Sequence, residues 1–426
     1  MAKPKLKANS HTACNRVVCP DCDWVVDVPV VSRRPFKCPR CGHTLGGGKA
    51  VSEINTLALA LTALILALVS LWLPFVGYST NGVSQSMTLL DTSTELLHFH
   101  ERLLAILVLF TVWVIPVLYL LSVCWIFLRL MLGARFGHFT LYLIRTLVQL
   151  RVWIMADVFL LGALISLIKI SGLAAVDLAV GFYTFIGFVL LQLIVANYVG
   201  RYQLWHGLPH QHAPRSQTQS TAQEQGLLGC VCCRAPNRHD ASDCWRCGET
   251  LRLANWQGWR LTLGLLIASA VLLVPAHVLP VMENTNFGRT QPSTIIGGVV
   301  ELWQSGDAPI AIIVFVASLV IPVAKILTLL VLLWMAERRD DEHVKNRMLL
   351  YKITDWIGRW SMIDIFVVAV LVALVRSGQL MSVYPGNAAL AFALTVILTM
   401  FAAMTFDTRQ FFKLTTPRSN KELKAT

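Results

Sequence analysis

The motif Trp153-Ile-Met155-Ala-Asp157-Val-Phe159 returns later in the chain as Trp360-Ser-Met362-Ile-Asp364-Ile-Phe366, and each copy sets one carboxylate inside an apolar run. Val114-Ile-Pro116-Val117 is matched by Val320-Ile-Pro322-Val323, and Leu73-Pro74 by Leu279-Pro280. A segment of paired cysteines precedes each series. The chain is a duplicated unit, so the architecture of one half constrains that of the other.

The repeated runs read as membrane helices. Eight apolar stretches are found, at about 54–75, 103–128, 152–170, 178–199, 260–282, 310–335, 360–377 and 387–406. About 20 helical residues cross a hydrocarbon core of roughly 30 Å. The bilayer interior offers backbone groups no partners, so these stretches are expected to be helices rather than open strands. With 55% apolar and 14% charged residues, a soluble fold is excluded. The first apolar run follows a polar, cysteine-bearing segment, so no cleavable signal peptide is expected.

The expected fold is an all-α polytopic membrane protein. It has two tandem four-helix transmembrane modules, each preceded by a small cytoplasmic β-type zinc ribbon. The expected boundaries are 1–49 for a basic tail and first ribbon, 50–205 for the first module and 206–228 for a flexible linker. The second ribbon follows at 229–252, the second module at 253–407 and a cytoplasmic tail at 408–426. Each half starts on the same side, so the repeats are parallel, related by an axis near the membrane normal.

A net charge of +12 raises the question of nucleic acid, but its placement answers it. With the amino terminus in the cytoplasm, only Arg102, Lys169, Arg289, Lys325 and Arg376 lie within or beyond the membrane. The other basic residues fall in the tails, the ribbons and the loops around Arg129–Arg151 and Arg338–Arg359. This positive-inside bias is a topology signal, and no nucleic-acid partner is expected. Both termini are then cytoplasmic. The outer loops, about 76–102 and 283–309, are too short for a folded domain, so any work outside needs a partner.

Eight of the eleven cysteines form four Cys-x-x-Cys pairs: Cys19 with Cys22, Cys38 with Cys41, Cys230 with Cys233, and Cys244 with Cys247. Each pair is a tight knuckle that places two thiolates on one ion, and two knuckles complete a tetrahedral site. Two structural zinc sites are expected, although iron fits the same thiolates and Cys232 competes as a ligand in the second. Disulfides are disfavoured on the cytoplasmic side, and a redox pair lacks its βαβ context. A closed four-thiolate site leaves no open position for substrate, so no catalytic role is assigned to the metal. Such small ribbons depend on metal for folding.

Charges inside apolar helices cost several kcal/mol unless paired or hydrated, which directs attention to Asp157, Lys325 and Asp364. Ser318, Pro322, Lys325 and Thr328 share a helix face by spacing, as do Ser361 and Asp364. Thr395 and Thr399 add hydroxyls on the last helix. In the first half Tyr119 stands where Lys325 stands in the second, leaving Asp157 to bond Tyr119 or Trp153, or to be protonated. Arg151 and Arg359 read as interfacial anchors. The second-half cluster is either a lock between helices or a proton- or ion-coupled switch, since protonation changes how strongly Lys325 and Asp364 attract.

These residues also carry a resemblance. Gly358-Arg-Trp-Ser-Met-Ile-Asp364-Ile-Phe, Ala373-Leu-Val-Arg376, Ser382-Val-Tyr-Pro385 and Met404-Thr-Phe-Asp407 resemble the paraquat-inducible protein A family, nearer its PqiA than its LetA side. The resemblance implies a non-enzymatic inner-membrane partner of a PqiB-like MCE-domain protein that builds a periplasm-spanning tunnel. It implies loading or unloading of phospholipid or another membrane lipid there, with a possible drive from the proton gradient. Lys325 and Asp364 carry over as the coupling site. Two rivals stand beside it. A membrane oxidoreductase lacks paired intramembrane histidines, since His98 and His100 lie near the outer surface and His277 stands alone. An envelope-stress sensor would use the ribbons to bind a cytoplasmic protein.

Overall fold

The computed structural model describes residues 14–29, 36–46, 53–80, 83–98, 102–133, 137–171, 175–199, 204–205, 220–251, 256–286, 289–304, 306, 308–338, 344–360, 362–375 and 381–406. Two compact units emerge. One comprises Met1–Val51, Val199–Ala254 and Thr408–Thr426, and the other Ser52–Tyr198 and Asn255–Asp407.

In the cysteine-bearing unit one local device is used four times. After each knuckle the chain enters the left-handed region, at Asp23 (φ 58°), Gly42 (71°), Arg234 (61°) and Gly248 (65°). That turn lets each of these residues donate its N–H to the carbonyl of the knuckle's first cysteine, at 2.7–3.0 Å. The first cysteine's own N–H is satisfied by Trp24, His43, Ala235 or Glu249. Short antiparallel pairs flank the knuckles: Cys14–Val18 with Val25–Pro29, Phe36–Lys37 with Thr44–Gly46, and Leu227–Gly229 with Pro236–Arg238.

The two ribbons fold as one body around Val18, Val25, Ala222 and Leu227. Residues 220–228, read from composition as the end of a linker, belong to it. Thr221 accepts from the N–H of Glu224 (3.3 Å), whose carboxylate accepts from the N–H of Thr221 (3.1 Å). This reciprocal cap uses the polarity that made the segment resemble a linker. The rest of the expected linker, residues 206–219, lies outside the described residues.

The apolar unit holds α1 (Glu53–Trp72), α2 (Leu89–His98), α3 (Arg102–Met131), α4 (His138–Leu150), α5 (Ala156–Ser171) and α6 (Val180–Tyr198). The second half repeats them as α7 (Trp256–Val278), α8 (Ile295–Gln304), α9, α10 (Val344–Trp360), α11 (Ile363–Val375) and α12 (Asn387–Thr405). Helix α9 runs through Ala308–Phe315, Val316–Val320 and Ile321–Arg338. Among the described residues seven helices are long and apolar enough to cross a membrane. The stretch expected at 360–377 is described as the 13 residues of α11, with Ser361 and residues 376–380 outside the description.

Three features depart from the expected plan. The basic stretches read as loops contain α4 and α10. In α4, Thr140, Ile144, Leu147 and Val148 form a buried stripe at helical spacing, short enough to be masked by the charges around it. Helices α3 and α9 each contain a π turn, Phe110–Val114 and Val316–Val320, ending two residues before Pro116 or Pro322. A proline ring lacks an N–H and crowds the carbonyl four residues back, and the wider turn relieves that crowding. Finally, the loops expected to lie outside build small sheets. The hairpins Val76–Thr80/Val83–Met87 and Met282–Asn286/Arg289–Ser293 each gain a third antiparallel strand, Ala175–Leu178 and Met381–Pro385.

Close backbone approaches position the last helix of each half. Gly181 donates to the carbonyl of Pro74 (3.0 Å), and Gly386 to that of Val281 (2.9 Å). A Cβ on Gly181 would stand 2.5 Å from that Pro74 oxygen, and one on Gly386 would crowd Pro280 even more closely. The repeated Leu-Pro and Gly are therefore one structural device. At the seam between the halves the two motif helices meet. The Phe159 and Phe366 rings stand edge to face at 5.5 Å, and the Ser166 hydroxyl donates to the carbonyl of Val367 (3.1 Å).

Candidate functional site

The four thiols of each ribbon converge. Cys19, Cys22, Cys38 and Cys41 form one group and Cys230, Cys233, Cys244 and Cys247 the other, with the sulfurs of each group within 4.8 Å of one another. The Cys19–Cys41, Cys22–Cys38, Cys230–Cys247 and Cys233–Cys244 sulfurs are 3.5 Å apart. A disulfide needs about 2.05 Å. Zinc–sulfur bonds of about 2.3 Å place tetrahedral sulfurs about 3.8 Å apart, close to this spacing. Cys232 is buried beside the second group but outside its four ligands.

Electrostatics favour a cation here. Hydrogen bonds from Cys19, Cys38 and Cys41, with burial, push the Cys22 thiol far up, while those from Cys19, Cys22 and Cys41 hold Cys38 far down. Four thiols this close cannot all ionise alone, and a divalent ion removes the conflict. Both centres fit zinc by donor set and spacing.

In the second half, Lys325 is 4% exposed, on α9. Its ammonium lies against Gly358 of α10: a Cβ there would be 2.7 Å from Nζ. Gly358 precedes Asp364 by six residues, so the cation sits beside the turn into α11. Ser318, Thr395 and Thr399 are buried and donate to carbonyls of their own helices, Val314, Ala391 and Val396, at 2.6–2.9 Å. Their oxygen lone pairs remain able to accept. Thr328 is half-buried on α9. Ser361 and the side chain of Asp364 lie outside the described residues.

The first half differs from the sequence expectation. The Tyr119 hydroxyl is fully buried and has no hydrogen-bond partner among the described residues, so the Asp157–Tyr119 bond is not made. Asp157 instead lines a cavity with Arg151, Gln192 and Asn197. Arg151, expected as an interfacial anchor, is exposed and lines the same cavity. Sequence reading passed over Gln192 and Asn197. The signal was available, since Gln192 is an amide in the middle of an otherwise apolar run.

The family described as paraquat-inducible protein A matches the chain twice, at residues 54–208 and 260–416, one match per half. The chain is 36% identical over 402 residues to "Intermembrane transport protein PqiA" of Escherichia coli strain K12, covering 94% of this chain and 96% of that one. It is 28% identical over 392 residues to "Lipophilic envelope-spanning tunnel protein A" of the same strain, covering 92% and 90%. "Probable intermembrane transport protein" of Haemophilus influenzae is 26% identical over 406 residues, covering 93% and 95%. No solved structure matches. With both repeats matched by the family model and 94% of its length aligned to a relative 36% identical, the chain belongs to the paraquat-inducible protein A family.

Proposed function

We propose that the chain is an inner-membrane subunit of an intermembrane lipid transport system, loading or unloading lipid at an MCE-domain tunnel protein. Both termini and the ribbons face the cytoplasm, and the two thiolate centres hold structural zinc. The observation that carries the reading is Lys325, buried on α9 against Gly358 where a spectator helix would have an apolar side chain. A buried cation with hydroxyls nearby and Asp364 six residues beyond its contact suits a site that gains and loses a proton. Relatives named as intermembrane transport proteins support the transport role.

In this mechanism protonation of Asp364 weakens its hold on Lys325 and lets α9 move against α10 and α11. The π turns before Pro116 and Pro322 give α3 and α9 places to bend. The zinc centres hold the ribbons folded and take no part in lipid chemistry. The test is copurification from native membranes with Lys325→Met and Asp364→Asn alongside. Recovery of a tunnel-forming partner and lipid, with lipid movement lost in both variants at normal accumulation, is expected. Recovery of neither partner nor lipid, or full transport in both variants, overturns the reading.

A further inference from the structure

Each half builds one three-stranded sheet, and the two sheets differ at their edges. In the first, Val83–Met87 is an edge strand, paired among the described residues only with Val76–Thr80. In the second, Arg289–Ser293 holds the same place beside Met282–Asn286. The N–H of Phe75 donates to the carbonyl of Met87 (2.7 Å), and that of Val281 to the carbonyl of Ser293 (2.9 Å). Backbone groups of successive strand residues point to opposite sides. Met87 and Ser293 face inward, so Ser84 and Ser86 in one sheet, and Thr290 and Pro292 in the other, face the open edge. Ser86 and Pro292 hold matching places, opposite Gly77 and Glu283, and both are exposed. Proline has no N–H and closes an edge to further pairing. At the far edge Pro385 closes the second sheet in the same way, where the first has Leu178. That far strand of the first sheet has only four residues and ends one residue before α6, and shortness itself guards an edge. Of these four edges, Val83–Met87 alone is five residues long with neither proline nor charge.

We infer that Val83–Met87 is a docking edge, to which the partner outside the membrane adds an extended basic segment as a fourth strand. The outward N–H and C=O groups of Ser84 and Ser86 form a row that another extended main chain satisfies, which defines the occupant as a strand. Charge selects whose strand it is. Residues 76–102 and 171–179, which contain this sheet, hold the acids Asp91, Glu95, Glu101 and Asp177 against the single base Arg102. A second copy of the chain would bring the same acids to the edge and be repelled, whereas a basic segment is attracted. The prolines of the second sheet limit the contact to one per chain, so the duplicated unit meets its partner through its first half. The inference rests on the transport reading for the partner's identity as a tunnel subunit, whereas the strand pairing is tested by itself.

The test uses the full chain in native membranes, with photoreactive benzoylphenylalanine replacing Ser84 or, separately, Thr290. Illumination and peptide mass spectrometry identify what each position touches. From the Ser84 position the expected adduct is a lysine- or arginine-rich segment of an MCE-domain protein, and from the Thr290 position that adduct should be about tenfold weaker. Adding Ser86→Pro to the first chain should cut its adduct about tenfold, the equivalent of one hydrogen bond lost with its partner left unpaired. Ser86→Ala, which keeps the N–H, should leave it unchanged. Ser86→Pro should accumulate normally, because Pro292 occupies the matching place; if it does not, the contrast between the Ser84 and Thr290 positions decides alone. No protein adduct from the Ser84 position, an adduct to a second copy of this chain, equal adducts from both positions, or an adduct untouched by Ser86→Pro overturns the docking edge. Any of these with the tunnel partner still copurifying leaves the transport reading standing. An adduct to a basic segment of a protein that forms no tunnel sustains the edge and overturns the transport reading's choice of partner.

Discussion

The ammonium of Lys325 lies over the face of Gly358, where a Cβ would stand 2.7 Å from Nζ and 2.8 Å from Cε. Aligned on the repeated motif, these two positions are Tyr119 and Arg151 in the first half. The cation has therefore moved from one helix to the other between the repeats, while the neighbouring acid stays. Each half keeps one basic residue at this pair of positions, a buried lysine in one and an exposed arginine in the other.

Gly358→Ala isolates the Lys325 contact. Alanine in a helix interior is favoured over glycine by about 0.5–1 kcal/mol, and the atoms in its way are the flexible end of a lysine. The variant should accumulate normally but displace the ammonium and reduce lipid movement as far as Lys325→Met does. Combining the two should add nothing, because both remove the same interaction. Additive losses in a transport assay would show that Gly358 acts by another route.

The ribbons should lose metal together. Val18 donates to the carbonyl of Arg234 (2.9 Å), and Asp23 accepts from the N–H groups of Gln223 (3.0 Å) and Ala222 (2.8 Å), so each ribbon is braced by the other. Cys22→Ser should lower bound zinc from about two ions per chain to below one, since metal and folding are coupled. Elemental analysis of the purified chain reads this directly. A loss of one ion with the second site intact would mean that the ribbons fold separately.

Arg234 tests the brace without touching a ligand. Its guanidinium donates to the carbonyls of Leu45 (3.0 Å) and Thr44 (3.4 Å) and to His43 (3.0 Å), all in the first ribbon. Its backbone is left-handed, at a cost of about 1–2 kcal/mol for a residue with a Cβ. Arg234→Gly removes the clasp and the strain together, whereas Arg234→Ala removes only the clasp. Zinc release to a chelator should be fastest in the alanine variant, intermediate in the glycine variant and slowest in the wild type.

Much of this was legible before any coordinates. The duplicated Trp-x-Met-x-Asp motif marked the pair of helices that meets at the seam, and the cysteine spacing marked both thiolate centres. What stayed hidden depended on contacts that sequence does not display. The Asn81-Gly82 dipeptide is a hairpin signal, but its third strand comes from residues 175–178, far along the chain. Thr221 and Glu224 read as linker because their polarity is used in capping. Gln192 and Asn197 went unremarked because only the fold gathers them with Asp157 around one cavity.

The seam itself can be probed at Gly162. A Cβ there would stand 3.0 Å from the Phe366 Cβ and 3.2 Å from the carbonyl oxygen of Ile363, and backbone atoms cannot swing aside. Gly162→Ala should destabilise by about 1–3 kcal/mol through overpacking. Ser166→Ala, which removes one hydrogen bond across the same pair, should cost only about 0.6 kcal/mol. Thermal unfolding in detergent orders the two, and a larger effect at Ser166 would contradict the close approach of α5 and α11.

The paired glycines at the heads of α6 and α12 allow a sharper comparison with two glycines inside helices, because the new methyl meets different atoms at each. At Gly181 it meets the carbonyl oxygens of Pro74 (2.5 Å) and Leu73 (2.8 Å), and at Gly386 the backbone of Pro280. At Gly187 it meets only the tip of the Leu66 side chain (3.1 Å), and at Gly264 nothing within 4 Å. Gly264→Ala should therefore gain about 0.5–1 kcal/mol from helix propensity alone, and Gly187→Ala should be near neutral as Leu66 rotates. Gly181→Ala and Gly386→Ala must push back a proline carbonyl that also anchors the helix start, and each should lose about 1–3 kcal/mol. Melting temperatures in one detergent should fall in that order. Equal tolerance at Gly181 and Gly264 would mean that the chain after Leu73-Pro74 does not approach α6 this closely.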